Sequence, residues 1–168
     1  MHKVYIGIGT NLGDRLAHIK QSLKLIGMQS KIHQISSVYE TPPLGFDAHT
    51  NFLNIVIEIE TKMNPEQLLS SNQQIEKNLG RIYYNDGKYH SRVIDLDILL
   101  FEDMEFKNDF LQIPHPHIQQ RNFVLLPLLE IAPEISVPGK ANTQFKDFLN
   151  ETMQIGIEKI ENSILTPY

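Results

Sequence analysis

Two aspartates, Asp95 and Asp97, stand two residues apart in the run SRVIDLDILLF, Ser91 to Phe101. The run otherwise reads as a buried strand, whose side chains alternate between two faces. Ile94, Leu96, Ile98 and Leu100 share one face, fully aliphatic and therefore core. Asp95 and Asp97 share the other, which turns apolar again at Leu99 and Phe101. Their Cα atoms would lie roughly 6.6 Å apart. At about 6 Å and an effective dielectric near 20, the two charges repel by ~3 kcal/mol. Something cationic must compensate. Hard carboxylate oxygens suit magnesium, which keeps waters and binds through one or two carboxylates plus substrate phosphates. Two carboxylates at this spacing can bridge two ions ~3.5–4 Å apart, as in phosphoryl-transfer sites. The plainer reading, two solvated acids on a half-exposed strand, fits poorly with the aliphatic run that anchors them.

Cations and donors gather around this pair in the sequence. The polar stretch GRIYYNDGKYHSR carries Arg81, Lys88 and Arg92 straight into the aspartates. Cations beside metal-binding acids are what a polyphosphate requires. Downstream, HPHIQQR holds His115 and Arg121, both able to donate to phosphate oxygens. A rigid turn with solvated imidazoles is the bland alternative there, and a zinc site lacks ligands. Phe123 follows as either a core residue or a stacking platform. GIGTNLG, with Gly7, Gly9 and Gly13, loosely fits a dinucleotide fingerprint. That fold would need a helix after the second strand, which Pro42 and Pro43 deny, so a tight strand-to-helix turn is the better reading.

The elements that must position these groups follow from periodicity. Lys3 to Gly9 is a short β-rich strand, and Asp14 can cap a helix carrying Leu16, Ile19, Leu23 and Ile26, ended by Gly27. Lys31 to Glu40 reads as a second strand and Phe52 to Thr61 as a third. Asn64 then caps a helix with Pro65 at its first position, with Leu68, Leu69, Ile75 and Leu79 inward and Gly80 closing it. The aspartate strand comes fourth. The order β-α-β-β-α-β is ferredoxin-like, an α+β sheet with two helices on one face. The C-terminal third is expected to add a short helix over Asn122 to Ile131 and another near Phe145, Phe148 and Leu149. Glu151 to Tyr168 gives no assignable pattern.

Composition narrows the setting. A chain of 168 residues suggests one domain, residues 1–168. It has no cysteine, which removes thiolate metal sites and thiol nucleophiles and fits a reducing compartment. The formal charge of −5 argues against nucleic-acid or membrane-surface partners. No signal peptide or membrane span is visible, so a cytoplasmic protein is expected.

Taken together, YETPPLG, NFLN, QIE, GR, RVIDLDILLF, IPHPH and RNFVLLPL closely resemble the 6-hydroxymethyl-7,8-dihydropterin pyrophosphokinase family of folate biosynthesis, from Val4 to about Ile135. The resemblance implies a ferredoxin-like core with additional C-terminal helices or strands. It implies transfer of pyrophosphate from ATP to the pterin hydroxymethyl oxygen, with AMP leaving. Asp95 and Asp97 would hold two Mg2+ ions. Arg81, Lys88 and Arg92 would act on the transferring phosphates. Gln73, Glu76, Ile98, His115 and Arg121 would complete the nucleotide site. Thr41, Pro42, Leu44, Phe52, Asn54 and Phe123 would form the pterin site, with the two phenylalanines sandwiching the ring. The partners implied are these two small molecules, and a monomer is expected.

The departures fall in the loop before the aspartates. Relatives usually read like GRxRxxRWGPR. Here Tyr83 stands where arginine is common, Lys88-Tyr89 replaces Arg-Trp, and His90-Ser91 replaces Gly-Pro. Two other classes compete with this reading. A palm-type nucleotidyltransferase or cyclase also sets paired aspartates on such a sheet, but leaves TPPLG and HPHIQQRNF without a role. The other is a non-catalytic regulatory or RNA-binding module of the same fold; an RNA-recognition module would need ribonucleoprotein aromatic motifs and usually a basic face, and neither is visible.

Overall fold

The computed structural model describes residues 1–43, 50–88, 90–150 and 156–160. Its centre is β1 (His2–Thr10), antiparallel to β4 (Phe52–Thr61) on one side and to β5 (Asp95–Phe101) on the other. Beyond β4 lie β2 (Lys31–Ile35) and β3 (Val38–Thr41), both antiparallel to it. The order β5-β1-β4-β3 is the ferredoxin-like one, and β8 (Glu158–Ile160) extends it past β3. The second predicted strand is therefore two. It breaks at Ser36 and Ser37, where Ser36 Oγ accepts the Val56 N–H at 2.9 Å in place of a ladder carbonyl.

Two helices cover one face. Asp14 accepts the Ala17 N–H to cap α1 (Arg15–Gly27), as its position predicts. Asn64 and Gln67 form a reciprocal capping box at the start of α2 (Pro65–Asn78). Ile19, Leu23 and Ile26 of α1 and Leu68 and Ile75 of α2 pack onto Val4, Ile6, Ile8, Ile55, Ile57, Leu96 and Ile98 of the sheet. On the opposite face, Leu125 and Leu128 of α3 (Asn122–Ile131) pack with Tyr5, Val56, Leu99 and Leu100. A small ribbon of β6 (Phe106–Lys107) and β7 (Gln112–Ile113) follows β5. The helix expected near Phe145 is only a 3-10 turn, Phe145–Phe148.

Strict alternation fails at one point in β5. Tyr5 pairs with Leu100 but Ile6 with Ile98, so Leu99 is an extra residue, a β-bulge. The bulge swaps the faces beyond it. Leu100 joins Leu99 beneath α3, and Phe101 joins Ile98 beneath α1 and α2.

Candidate active site

The alternation of β1 builds the floor of the site. Val4, Ile6 and Ile8 face the two helices, so Tyr5, Gly7 and Gly9 face the other way. Tyr5 lies beneath α3, but Gly7 and Gly9 leave a gap. Gly7 pairs with Asp97 and Val56, and Gly9 with Asp95 and Asn54. A Cβ at Gly7 would stand 3.3 Å from the Leu99 side chain, and one at Gly9 3.2 Å from Asn54 Oδ1. The glycines thus open a cavity of about 210 Å³. Its walls bring together nine of the predicted residues: Thr41, Pro42, Phe52, Asn54, Arg92, Asp95, Asp97, Arg121 and Phe123. Phe123 is half-buried and lies outside both apolar clusters. Asn54 Nδ2 donates to Thr41 Oγ1 at 2.9 Å, tying the two across β3 and β4.

The aspartates are not equivalent. Arg81 Nη1 donates to Asp95 Oδ1, and Arg92 Nη1 donates to Asp95 Oδ2 at 2.6 Å. Asp97 has only His115 as an ion-pair partner among the described residues, at 3.9 Å from its Oδ2. Protein packed around it, then the charges of Asp95 and Glu76, push the Asp97 carboxyl up to about 7, against the pull of Arg121 and Arg81. Its side chain is nevertheless 42% exposed, through the cavity mouth. His115 is pushed down to about 4 by burial and by the charges of Arg121 and His117, so it is neutral. Its Nδ1 accepts the His117 N–H at 3.3 Å, which leaves the proton on Nε2 as a donor.

A buried chain of polar contacts anchors the arginines. Glu76 Oε1 accepts from Arg81 at 2.5 Å and from the Leu96 N–H at 2.7 Å, and Tyr83 donates its hydroxyl to Oε2. The Arg81 guanidinium lies over the Tyr83 ring, 4.8 Å from its centroid. Sequence reasoning missed Asn11, fully buried at the end of β1. Its Oδ1 accepts the Arg92 N–H at 2.7 Å and its Nδ2 donates to Ser91 Oγ at 2.9 Å, while Thr50 donates to its carbonyl. Asn11 thereby pins the root of the Arg81–Arg92 loop. TNLGD had offered only a turn signal.

The remaining predicted residues lie along the outer edge of β5 or away from it. Leu96 meets Glu76 through its N–H and Asn72 through its carbonyl, both on the side away from β1. In an antiparallel ladder the residue two along points its backbone groups the same way, so the Ile98 amide also faces outward. The Ile98 side chain is core, beneath α1 and α2. Gln73 is exposed one turn before Glu76 on α2, and His115 donates its N–H to Leu99 at 2.9 Å. Lys88 is exposed and does not line the cavity. Leu44 lies outside the described residues.

The donor set fits magnesium. Two carboxylates face one cavity, and among the described residues the Asp97 oxygens have only the His115 contact at 3.9 Å. No third His, Asp or Glu among the described residues completes a protein cage, so phosphates and water would fill the shell. Each Asp95 oxygen accepts one guanidinium bond, which leaves a lone pair on each for an ion.

A ferredoxin-like sheet with paired carboxylates, arginines and an aromatic-walled cavity defines an enzyme that handles phosphate groups beside a flat ring. The family model described as 7,8-dihydro-6-hydroxymethylpterin-pyrophosphokinase matches residues 5–133, and the chain belongs to that family. The 2-amino-4-hydroxy-6-hydroxymethyldihydropteridine pyrophosphokinase of Bacillus subtilis is 40% identical over 133 residues, 78% of each chain. That of Aquifex aeolicus is 38% identical over 138 residues, 82% of this chain and 85% of its own. That of Methylorubrum extorquens is 33% identical over 163 residues, 96% of this chain and 100% of its own. Among solved structures, the wild-type Plasmodium falciparum HPPK-DHPS with SDX-DHP superposes with a TM-score of 0.71 at 16% identity. The match covers 95% of this chain and 47% of that one, so the chain spans about half its length and the likeness is one of fold. No described helix is long and apolar enough to cross a membrane.

Proposed function

We propose that this site performs the family's reaction: it transfers the pyrophosphoryl group of ATP to the hydroxymethyl oxygen of 6-hydroxymethyl-7,8-dihydropterin and releases AMP. The observation that carries the reading is the small cavity with Phe52 and Phe123 in its walls and Asp95 and Asp97 on its floor. At about 210 Å³ it is smaller than the roughly 300–1,000 Å³ of pockets for drug-sized ligands. It suits one bicyclic ring, not a nucleotide as well. The pterin stacks between Phe52 and Phe123, with Asn54 and the backbone of Thr41 and Pro42 reading its polar edge. The adenine lies outside, along the β5 edge, where Gln73 and the outward Ile98 amide present donors and acceptors; Glu76, expected there too, is buried and engaged by Arg81, Tyr83 and the Leu96 N–H, so it supports that edge from beneath. The pterin hydroxyl and the β-phosphate then meet over Asp95 and Asp97.

Two Mg2+ ions held by Asp95 and Asp97 would neutralise phosphate charge and orient the attacking hydroxyl. The protein's own contribution is positioning and charge. Arg121 and the Nε2–H of His115 face the phosphates from the α3 side. Arg81 and Arg92, paired with Asp95 here, stand where they would also meet the charge of phosphates beside an ion held by Asp95. Lys88 reaches them only if the loop folds inward, which also excludes water.

The test is AMP formation from Mg-ATP with and without the pterin. Pterin-dependent AMP, with pterin diphosphate in equal amount, supports the reading. Release of inorganic pyrophosphate or a cyclic nucleotide without pterin would favour a nucleotidyltransferase or cyclase and overturn it.

A further inference from the structure

The family model ends at residue 133, yet two later segments grip the cavity from opposite sides. On one side, Asn122 Nδ2 donates to the Asn150 carbonyl at 2.5 Å. Asn122 is 2% exposed and sits between Arg121 and Phe123, both cavity-lining. On the other side, β8 pairs with β3, Ile160 opposite Val38, Lys159 opposite Tyr39 and Glu158 opposite Glu40. β3 runs directly into Thr41 and Pro42, which line the cavity across from α3. Gly156 takes a φ of +79°, and a Cβ there would stand 3.4 Å from Pro42 Cγ, so the backbone passes close against that proline.

The two sides are also joined to each other. Lys159 Nζ lies 3.3 Å from Glu130 Oε1 on α3 and 6.0 Å from the Tyr39 ring centroid on β3. Glu130 in turn accepts from Ser37 Oγ at 2.6 Å and Tyr39 OH at 2.8 Å. The helix that carries Phe123 and the strand that leads to Pro42 therefore share one set of anchors. Without β8, β3 would be the edge of the sheet in the described structure and its end would lose a partner strand.

We propose that Asn150 and Gly156–Ile160 form a brace that sets the spacing of the pterin cavity's walls. This rests on the assignment of that cavity to the pterin. The contacts described above run from Gly156–Ile160 to β3, Pro42 and α3, whereas Gln73, Glu76, Ile98 and His115 lie on or beside β5 at the other edge of the sheet; of the residues assigned to the nucleotide, Arg121 adjoins only the Asn150 half, through its neighbour Asn122. Its loss should therefore separate the two substrates.

The experiment compares the wild type with a chain ending at residue 155, Asn122→Ala, Lys159→Ala and Lys159→Arg. It measures KM for each substrate, kcat, pterin affinity by fluorescence titration, and thermal melting. A misplaced wall weakens binding steeply with distance, so the shortened chain should raise the pterin KM roughly 10-fold. The nucleotide KM should stay within about 2-fold, the pattern of a loss confined to one substrate's binding. Lys159→Ala should show a smaller shift in the same direction and Lys159→Arg should keep the wild-type value, while Asn122→Ala, seated between Phe123 and the phosphate-facing Arg121, should raise the pterin KM together with some rise in the nucleotide KM. If the shortened chain does not fold, the point variants decide. A folded shortened chain with unchanged pterin affinity, equal weakening of both substrates, or no shift in the point variants would overturn the brace. A wild type that forms no AMP overturns the functional assignment instead, so the two failures are distinct.

Discussion

Asp95 and Asp97 occupy one strand face but different surroundings, and this difference can be measured. Arg81 and Arg92 hold Asp95, whereas Asp97 keeps its proton up to about 7. An unfolded aspartate releases its proton near ~3.9. The folded state therefore binds the Asp97 proton more tightly than the unfolded state. Stability from this group is complete below about 3.9 and is lost as the pH rises through about 7. Asp97→Asn cannot ionise. In melts without divalent ions, its advantage over the wild type should grow between pH 4 and 7 and then level off. A difference that stays flat across that range would contradict the asymmetry. Phe123 supplies a second residue-scale test. As a cavity wall it should, when changed to Ala, weaken pterin binding by about 1–3 kcal/mol, the scale of base–aromatic stacking. A core residue would instead lose ~3–5 kcal/mol of stability with pterin affinity unchanged. Titration and melting of that one variant decide.

The elements were legible where a single segment carries its own signal. Asp14 before α1, and Asn64, Pro65 and Gln67 at α2, fix helix starts from local chemistry alone. What stayed hidden depends on a partner strand. The Leu99 bulge exists only against the register of β1, and it moves Leu100 and Phe101 to faces that alternation denies them. The Ser36–Ser37 break depends on Val56 and Glu130, distant in sequence. Gly7 and Gly9 fell at the end of the predicted first strand, leading into a tight turn, and their value as an open floor appears only once Asp95, Asp97 and Asn54 are set beside them. The Arg81–Arg92 loop gives the element-scale prediction. Tyr83 was expected to leave the loop short of a positive charge, but its hydroxyl reaches buried Glu76 and its ring lies under Arg81. Tyr83→Phe removes one donor from a buried carboxylate and should lower stability by about 1–2 kcal/mol in chemical denaturation. It should also loosen Arg81 and slow turnover. An unchanged midpoint and rate would mean the contact carries no weight in solution.

At the scale of the whole molecule, the sheet separates two tasks. One face, under α1 and α2, is continuous aliphatic packing that holds the fold. The other is half covered by α3 and half left open as the cavity. The residue types of the site were readable from the sequence because acids inside a buried strand and cations before it demand an explanation. The unequal roles of the two aspartates were not, because Arg81 reaches Asp95 across a loop whose path no local pattern specifies. The account stands on Asp97 as an open ligand at the centre of this molecule. Single-turnover AMP formation, by rapid quench at saturating Mg-ATP and pterin, tests that directly. Asp97→Asn keeps the shape of the side chain and removes its charge. The predicted result is a loss of at least about 100-fold in the chemical step, the scale of removing one preorganised electrostatic contact, with pterin affinity retained. A rate within about tenfold of the wild type would contradict the account.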